Sequence, residues 1–183
     1  MPQPLLKTKL HVPRPRPERV PRPRLIERLT QGLTGPLTVI SAPAGSGKTT
    51  LVGEWRASPA GQDAPLAWLS LDEDDNDPVR FMTYLIAALE GIQAGLGSDA
   101  LALLQADSTL TVKPILTALV NALSDRDTET VLVLDDYHLI TSASVHEALA
   151  FLLDHMPPLL HLILLILSGV CSIRPAITSA LWA

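Results

Sequence analysis

The sequence predicts an α/β fold with a mostly parallel sheet and helices on both of its faces. Three observations carry that expectation. Four short apolar runs, "LTVIS" (37–41), "LAWLSL" (66–71), "VLVLDD" (131–136) and "LLHLILLILSGV" (159–170), alternate with stretches of helical spacing. "VLVLDD" is apolar up to its two closing acids, as a strand covered on both faces must be. The Gly-rich stretch "SAPAGSGKTTL" (41–51) joins the first apolar run to a helical pattern, the strand, loop and helix order of a phosphate-binding loop.

The elements follow in chain order. From Met1 to Arg24 repeated proline fixes φ and removes donors, so a basic, extended arm is expected over 1–24. This arm reads as laid across the domain, since no aromatic residues interleave its charges as a nucleic-acid surface would need. "RLIERLTQGL" offers a short amphipathic helix, and Leu51, Val52 and Trp55 set the helical face after the Gly-rich loop. The acidic run "DEDDND" (72–77) reads as a solvated loop whose Asp77 caps a helix with Pro78 at its first position, and a metal site is the lesser alternative. Val79, Met82, Leu85, Ile86 and Leu89 then recur at helical spacing, and weaker helical patterns cover about 99–106 and 112–124. Ser144 and Glu147 are spaced as a capping box for a helix running to about His155. The run at 159–170 is too short for a membrane span of roughly 20 residues. A buried strand is expected there, with a buried helix the alternative. The P-loop domain is expected over 25–167, with its sheet incomplete at the C-terminal end and a divergent tail over 168–183.

Composition narrows the function classes. The chain has 183 residues, 47% of them apolar, which is enough for one domain with a sizeable core. A net charge of -5 gives it no general pull toward nucleic acid or anionic membrane, although eight of its 14 Lys and Arg lie between Lys7 and Arg28. Cys171 is the only cysteine, so no internal disulfide can form, and no apolar leader precedes the early prolines. A cytoplasmic protein without membrane contact is expected.

The chemistry concentrates in two places. In the loop, Gly45 and Gly47 allow the backbone N–H groups of Ala44 to Thr50, Ser46 included, to turn toward an anion at the positive end of the following helix. Lys48 is placed to reach the β- and γ-phosphates of a nucleotide, and the Thr49 hydroxyl to bind Mg²⁺. Ala42 stands where such loops usually have their first glycine, which is tolerable provided its φ is not positive. Asp135, 87 residues after Lys48, is expected at the end of a strand neighbouring the loop as the carboxylate on the metal side. Asp136 is then the candidate to orient or deprotonate the attacking water, making Lys48 and Asp136 the catalytic pair. His138 and His146 have no metal-ligand pattern, and Trp55 and Trp68 read as core.

The stretches "LLKTKLHVPRPRPERVPRPRLIERL", "VISAPAGSGKTTLVGEW", "AWLSLDEDDNDPVRFMTYLIAAL" and "VLVLDDYHLITSASVHEALAFLLDHMPP" together resemble the N-terminal nucleotide-binding domain of MalT-like regulators. These are LuxR-type transcription factors of the STAND class of signalling ATPases. The resemblance implies a switch in which ADP holds the inactive monomer, while ATP and an inducer favour self-association and activation through a C-terminal DNA-binding domain. It implies phosphate binding by Gly45, Gly47 and Lys48, Mg²⁺ at Thr49 and Asp135, and a hydrolytic role for Asp136.

Such proteins carry a phosphate-sensing Arg after the strand that follows "DHMPP", whereas here none occurs before Arg174. A truncated or frame-shifted product lacking the sensor and DNA-binding domains is therefore expected, with at most slow hydrolysis. Two alternatives are a P-loop small-molecule kinase, which would need a basic lid where 137–183 offers only Arg174, and an inactive fragment.

Overall fold

A computed structural model describes residues 4–13, 20–106 and 112–169. Pro23 opens the first helix, α1 (Pro23–Gly32), and the chain enters strand β1 (Leu37–Ala42). The Gly-rich loop leads into α2 (Lys48–Arg56), followed by β2 (Leu66–Ser70). Asp77 caps α3 (Pro78–Glu90) by accepting from the Arg80 N–H at 2.9 Å, with Pro78 at the first position, as the sequence indicates. Helices α4 (Ser98–Ala106) and α5 (Val112–Ser124) precede β3 (Thr130–Asp135), α6 (Ala143–Asp154) and β4 (Leu160–Leu167).

Among the described residues the sheet has four parallel strands, in the order β1-β4-β3-β2. Side chains alternate between the two faces of a strand, and the packing follows that period. Val131, Val133, Ile163, Leu165 and Trp68 pack with Leu29 of α1 and with Val52 and Trp55 of α2. Leu132, Leu134, Leu162, Leu164 and Leu69 face the other way, onto α3, α5 and α6. Both faces are thus covered, and within the apolar run at 159–170 the strand spans Leu160–Leu167. Trp55 and Trp68 are buried, at 0% and 1% exposure.

Three expectations change. Asp136 falls outside β3, because its φ of 57° breaks the extended chain. The Ser144–Glu147 capping box does not form: α6 begins at Ala143 with Ser142 at the N-cap, so Ser144 lies inside the first turn. The acidic run is not a solvated loop throughout. Its 3-10 turn, Glu73–Asn76, buries Asp75 completely between Lys9 and Arg80.

That burial pins the N-terminal segment to the domain. Lys9 Nζ pairs with Asp75 and, at 2.9 Å, with Asp72, and sits 4.5 Å from the centre of the Tyr84 ring. The Leu6 N–H donates to the Tyr84 hydroxyl at 3.1 Å, while Leu5 and Leu10 pack on the core. The described residues of this segment therefore lie against the domain, but they are not extended throughout as expected, because Lys7–Leu10 form a 3-10 turn and α1 begins at Pro23. Residues 14–19 of that arm, and Cys171 and Arg174 of the tail, lie outside the described residues.

Candidate functional site

Ala42 ends β1 in register with Leu167, and among the described residues Asp136 alone has a positive φ without being glycine. The condition for alanine at that junction is met. Gly45 and Gly47 have φ of 73° and 83°, a conformation that side chains disfavour. They turn the loop so that Gly47 becomes the N-cap of α2, and no side chain caps that end. The first-turn N–H groups, which lack intrahelical partners, remain available to an anion in the positive field of the helix.

Lys48 is buried at 9% exposure, and its Nζ donates to the carbonyls of Ala42 at 3.0 Å and Pro43 at 3.2 Å. One acceptor ends β1 and the other opens the loop, and both are neutral carbonyls, so phosphate oxygens can replace weak neutral acceptors with charged ones.

Asp135 reaches this loop by an unexpected route. It is not on a strand adjacent to β1, because β4 lies between β1 and β3. The gap is about 10 Å at ordinary strand spacing. It is closed by α2: residues 131, 133 and 135 of β3 share the α2 face, and Thr49 Oγ1 donates to Asp135 Oδ2 at 2.9 Å. Burial, and then the neighbouring charge of Asp136, hold the Asp135 carboxyl above its usual range, against the opposing pull of Thr49, the Asp136 N–H and Lys48. A buried carboxylate in contact with a hydroxyl gives two hard oxygen donors at one point, which suits Mg²⁺. A cation there would also relieve the buried charge. Among the described residues no group of three or more His, Cys, Asp or Glu is gathered to hold a metal, so phosphate and water would complete its shell.

Above these groups lies an open cleft of about 620 Å³. Ala44, Gly45, Gly47, Lys48, Thr49 and Thr50 line one side, with Asp136, His138, Leu139 and Leu167 also contributing. That volume falls within the range of small-molecule sites. Of the expected site residues, Ser46 and Asp135 do not line the cleft. Ser46 turns its carbonyl to the Arg22 guanidinium at 3.0 Å, and Asp135 joins the cleft through Thr49.

Two residues at the site escaped the sequence reading. Arg22 lies across the loop, also 3.5 Å from the Gly47 carbonyl, and only its place in the basic arm hinted at this. His138 lines the cleft with its side chain 10% exposed and its Nδ1 3.9 Å from Asp136 Oδ1. Its spacing two residues after Asp136 was the available signal. His146 instead meets the Tyr137 hydroxyl at 2.7 Å in the core, where burial pushes the tyrosine pKa up. The segment 137–169 carries no Lys or Arg, so nothing there resembles the basic lid of a small-molecule kinase.

Comparison with known proteins agrees with this geometry. A family model described as "AAA ATPase domain" matches residues 23–166. The HTH-type transcriptional regulator MalT of Yersinia enterocolitica is 41% identical over 161 residues, covering 88% of this chain and 17% of that protein. MalT of Yersinia pestis is 42% identical with the same coverage, so the chain spans about a sixth of the length of these relatives. Among solved structures, Orc1 of Aeropyrum pernix, solved in complex with DNA, superposes with a TM-score of 0.61 at 18% identity, over 90% of this chain and 44% of that one. Cdc6p of Pyrobaculum aerophilum gives 0.59 at 17% identity, over 94% and 45%. These two share the fold.

Proposed function

The chain belongs to the AAA ATPase domain family, and from that premise we propose that its cleft binds ATP or ADP with Mg²⁺ as the switch element of a MalT-like transcription regulator. The observation that carries this reading is the hydrogen bond from Thr49 to Asp135, which joins the phosphate loop to an acidic strand end 86 residues away. In this reading Ala44 to Thr50 cradle the phosphates through backbone N–H groups, and Lys48 leaves its carbonyl partners for the β- and γ-phosphates. Thr49 and Asp135 hold Mg²⁺, which when bound neutralises phosphate charge. Asp136, with its side chain 48% exposed at the cleft, orients the attacking water and takes its proton.

The likeness to MalT supports a signalling role in the cytoplasm, with nucleotide state governing self-association and DNA contact made through another part of such a regulator. No helix among the described residues is long and apolar enough to cross a membrane.

Hydrolysis is slow in this scheme. Among the described residues Lys48 is the only Lys or Arg lining the cleft, and an added arginine at such sites accelerates transfer by about 10³–10⁵. Single-turnover assays with Mg·ATP should give a rate well below ~1 s⁻¹, the lower end for kinases. A faster rate would contradict a switch built on a long-lived nucleotide state.

A further inference from the structure

Asn76 is the hub of the acidic turn, and most of its hydrogen bonds go to residues 139–142, which follow Asp136 in the chain. Its Oδ1 accepts from the Thr141 N–H at 2.6 Å and the Ser142 N–H at 2.7 Å, with the Thr141 hydroxyl at 3.3 Å. Its Nδ2 donates to the Leu139 carbonyl at 3.0 Å and, within its own turn, to the Glu73 carbonyl at 3.0 Å. Two backbone donors on one side and two backbone acceptors on the other fix the orientation of the amide without ambiguity. No other proteinogenic side chain of this length offers both.

The chain enters the segment it grips through a left-handed residue. Asp136 sits at φ 57°, ψ 33°, a conformation that persists for a non-glycine residue only when its surroundings enforce it. Local bonds supply part of that enforcement, since the Asp136 N–H donates to Asp135 Oδ1 at 3.0 Å and the Leu139 N–H to the Asp136 carbonyl at 3.0 Å. Asn76 supplies an anchor from 63 to 66 residues away. Next to it, Asp75 is locked by the buried Lys9 of the N-terminal segment and by Arg80.

We propose that Asn76 is a positioning residue for ATP hydrolysis: it ties the turn held by Lys9 to residues 139–142, and so fixes the Asp136 carboxylate at the mouth of the cleft. The inference rests on the nucleotide-site reading given above. It also gives the "DEDDND" run a role beyond capping α3, since its Asn is the one residue there able both to donate and to accept.

The test compares wild type with Asn76→Ala and Asn76→Asp, the latter keeping the acceptor for Thr141 and Ser142. Three quantities are read: Mg·ATP affinity by titration, the single-turnover rate at saturating Mg·ATP, and amide hydrogen exchange over 136–142 without nucleotide. Asn76→Ala should keep its affinity within threefold and lose at least tenfold in rate, with exchange of 136–142 accelerated at least tenfold and that of 43–50 unchanged. Asn76→Asp should recover part of both losses. Unchanged exchange over 136–142, or acceleration spread evenly over the chain, overturns the proposal. So does a rate that is unchanged, or that falls only in step with affinity. Wild-type chain that binds no Mg·ATP would instead sink the nucleotide-site reading, leaving the exchange result to judge the tie.

Discussion

Replacing Lys9 with methionine probes the N-terminal anchor directly. The substitution keeps an unbranched apolar stem and removes one ammonium from a carboxylate, Asp75, that has no solvent exposure. Breaking a buried pair from one side costs about 3–5 kcal/mol, because the remaining charge stays desolvated. Asp75 would retain Arg80 Nε at 3.2 Å and the Asp72 N–H at 2.9 Å, which places the expected loss near the lower figure, about 3 kcal/mol. At roughly 2–4 °C per kcal/mol for a chain of this size, Tm falls by roughly 6–12 °C in a circular-dichroism melt. The effect should depend on pH. Burial pushes the Asp72 carboxyl up, but Lys9 and then Arg80 outweigh it and hold it below the usual 3.8. A depressed carboxylate stabilises the fold above its unfolded pKa, and that contribution is lost as pH falls through the folded value. The Lys9→Met deficit should therefore be full at neutral pH and shrink in acid below about pH 4. Removing Asp75 as well, in Lys9→Met/Asp75→Leu, relieves the stranded charge and should show more than about 1 kcal/mol of coupling. A Lys9→Met melt within 2 °C of wild type, or strictly additive single and double variants, would refute the reasoning.

Other outcomes follow from the same contacts. Gly45→Ala and Gly47→Ala both place a side chain in left-handed backbone at roughly 1–2 kcal/mol, but only at Gly47 does the new Cβ meet a neighbour, the Arg22 guanidinium. Melts should rank Gly47→Ala as the more destabilised, and equal losses would argue against the placement of Arg22. Asp135→Asn should raise the Tm of the nucleotide-free protein while abolishing the effect of Mg²⁺ on ATP affinity. The raised Asp135 pKa penalises the fold above that value, so the Tm gain should be full at neutral pH and vanish as pH falls toward 3.8. A loss of stability at pH 7 would show instead that the ionised carboxylate stabilises the site.

Much of this was legible because local chemistry decided it. The apolar runs of β3 and β4 specify buried strands, Asp77 with Pro78 specifies the start of α3, and the glycines of the loop specify its backbone. What escaped depends on partners distant in sequence. The start of α6 is fixed by Asn76, 66 residues away, so the Ser144–Glu147 pattern had no bearing on it. The acidic run reads as solvated because nothing in its own stretch announces Lys9. The sequence places Asp135 at the end of a strand neighbouring the loop, whereas β4 lies between β1 and β3 and Thr49 of α2 reaches across it. The φ of Asp136 is permitted by residue type, since Asp tolerates left-handed backbone better than most side chains, but its selection at this position rests on contacts that the local sequence does not announce.

The central claim is that the loop at 42–50 and the end of β3 form one Mg²⁺-dependent nucleotide site, and calorimetric titration of Mg·ATP into wild type and Lys48→Ala tests it most directly. The account predicts saturable binding at one site per wild-type chain, weakened when Mg²⁺ is chelated and at least tenfold weaker in Lys48→Ala. Wild-type chain that takes up no ATP or ADP, or a Lys48→Ala variant that binds as tightly as wild type, would contradict it.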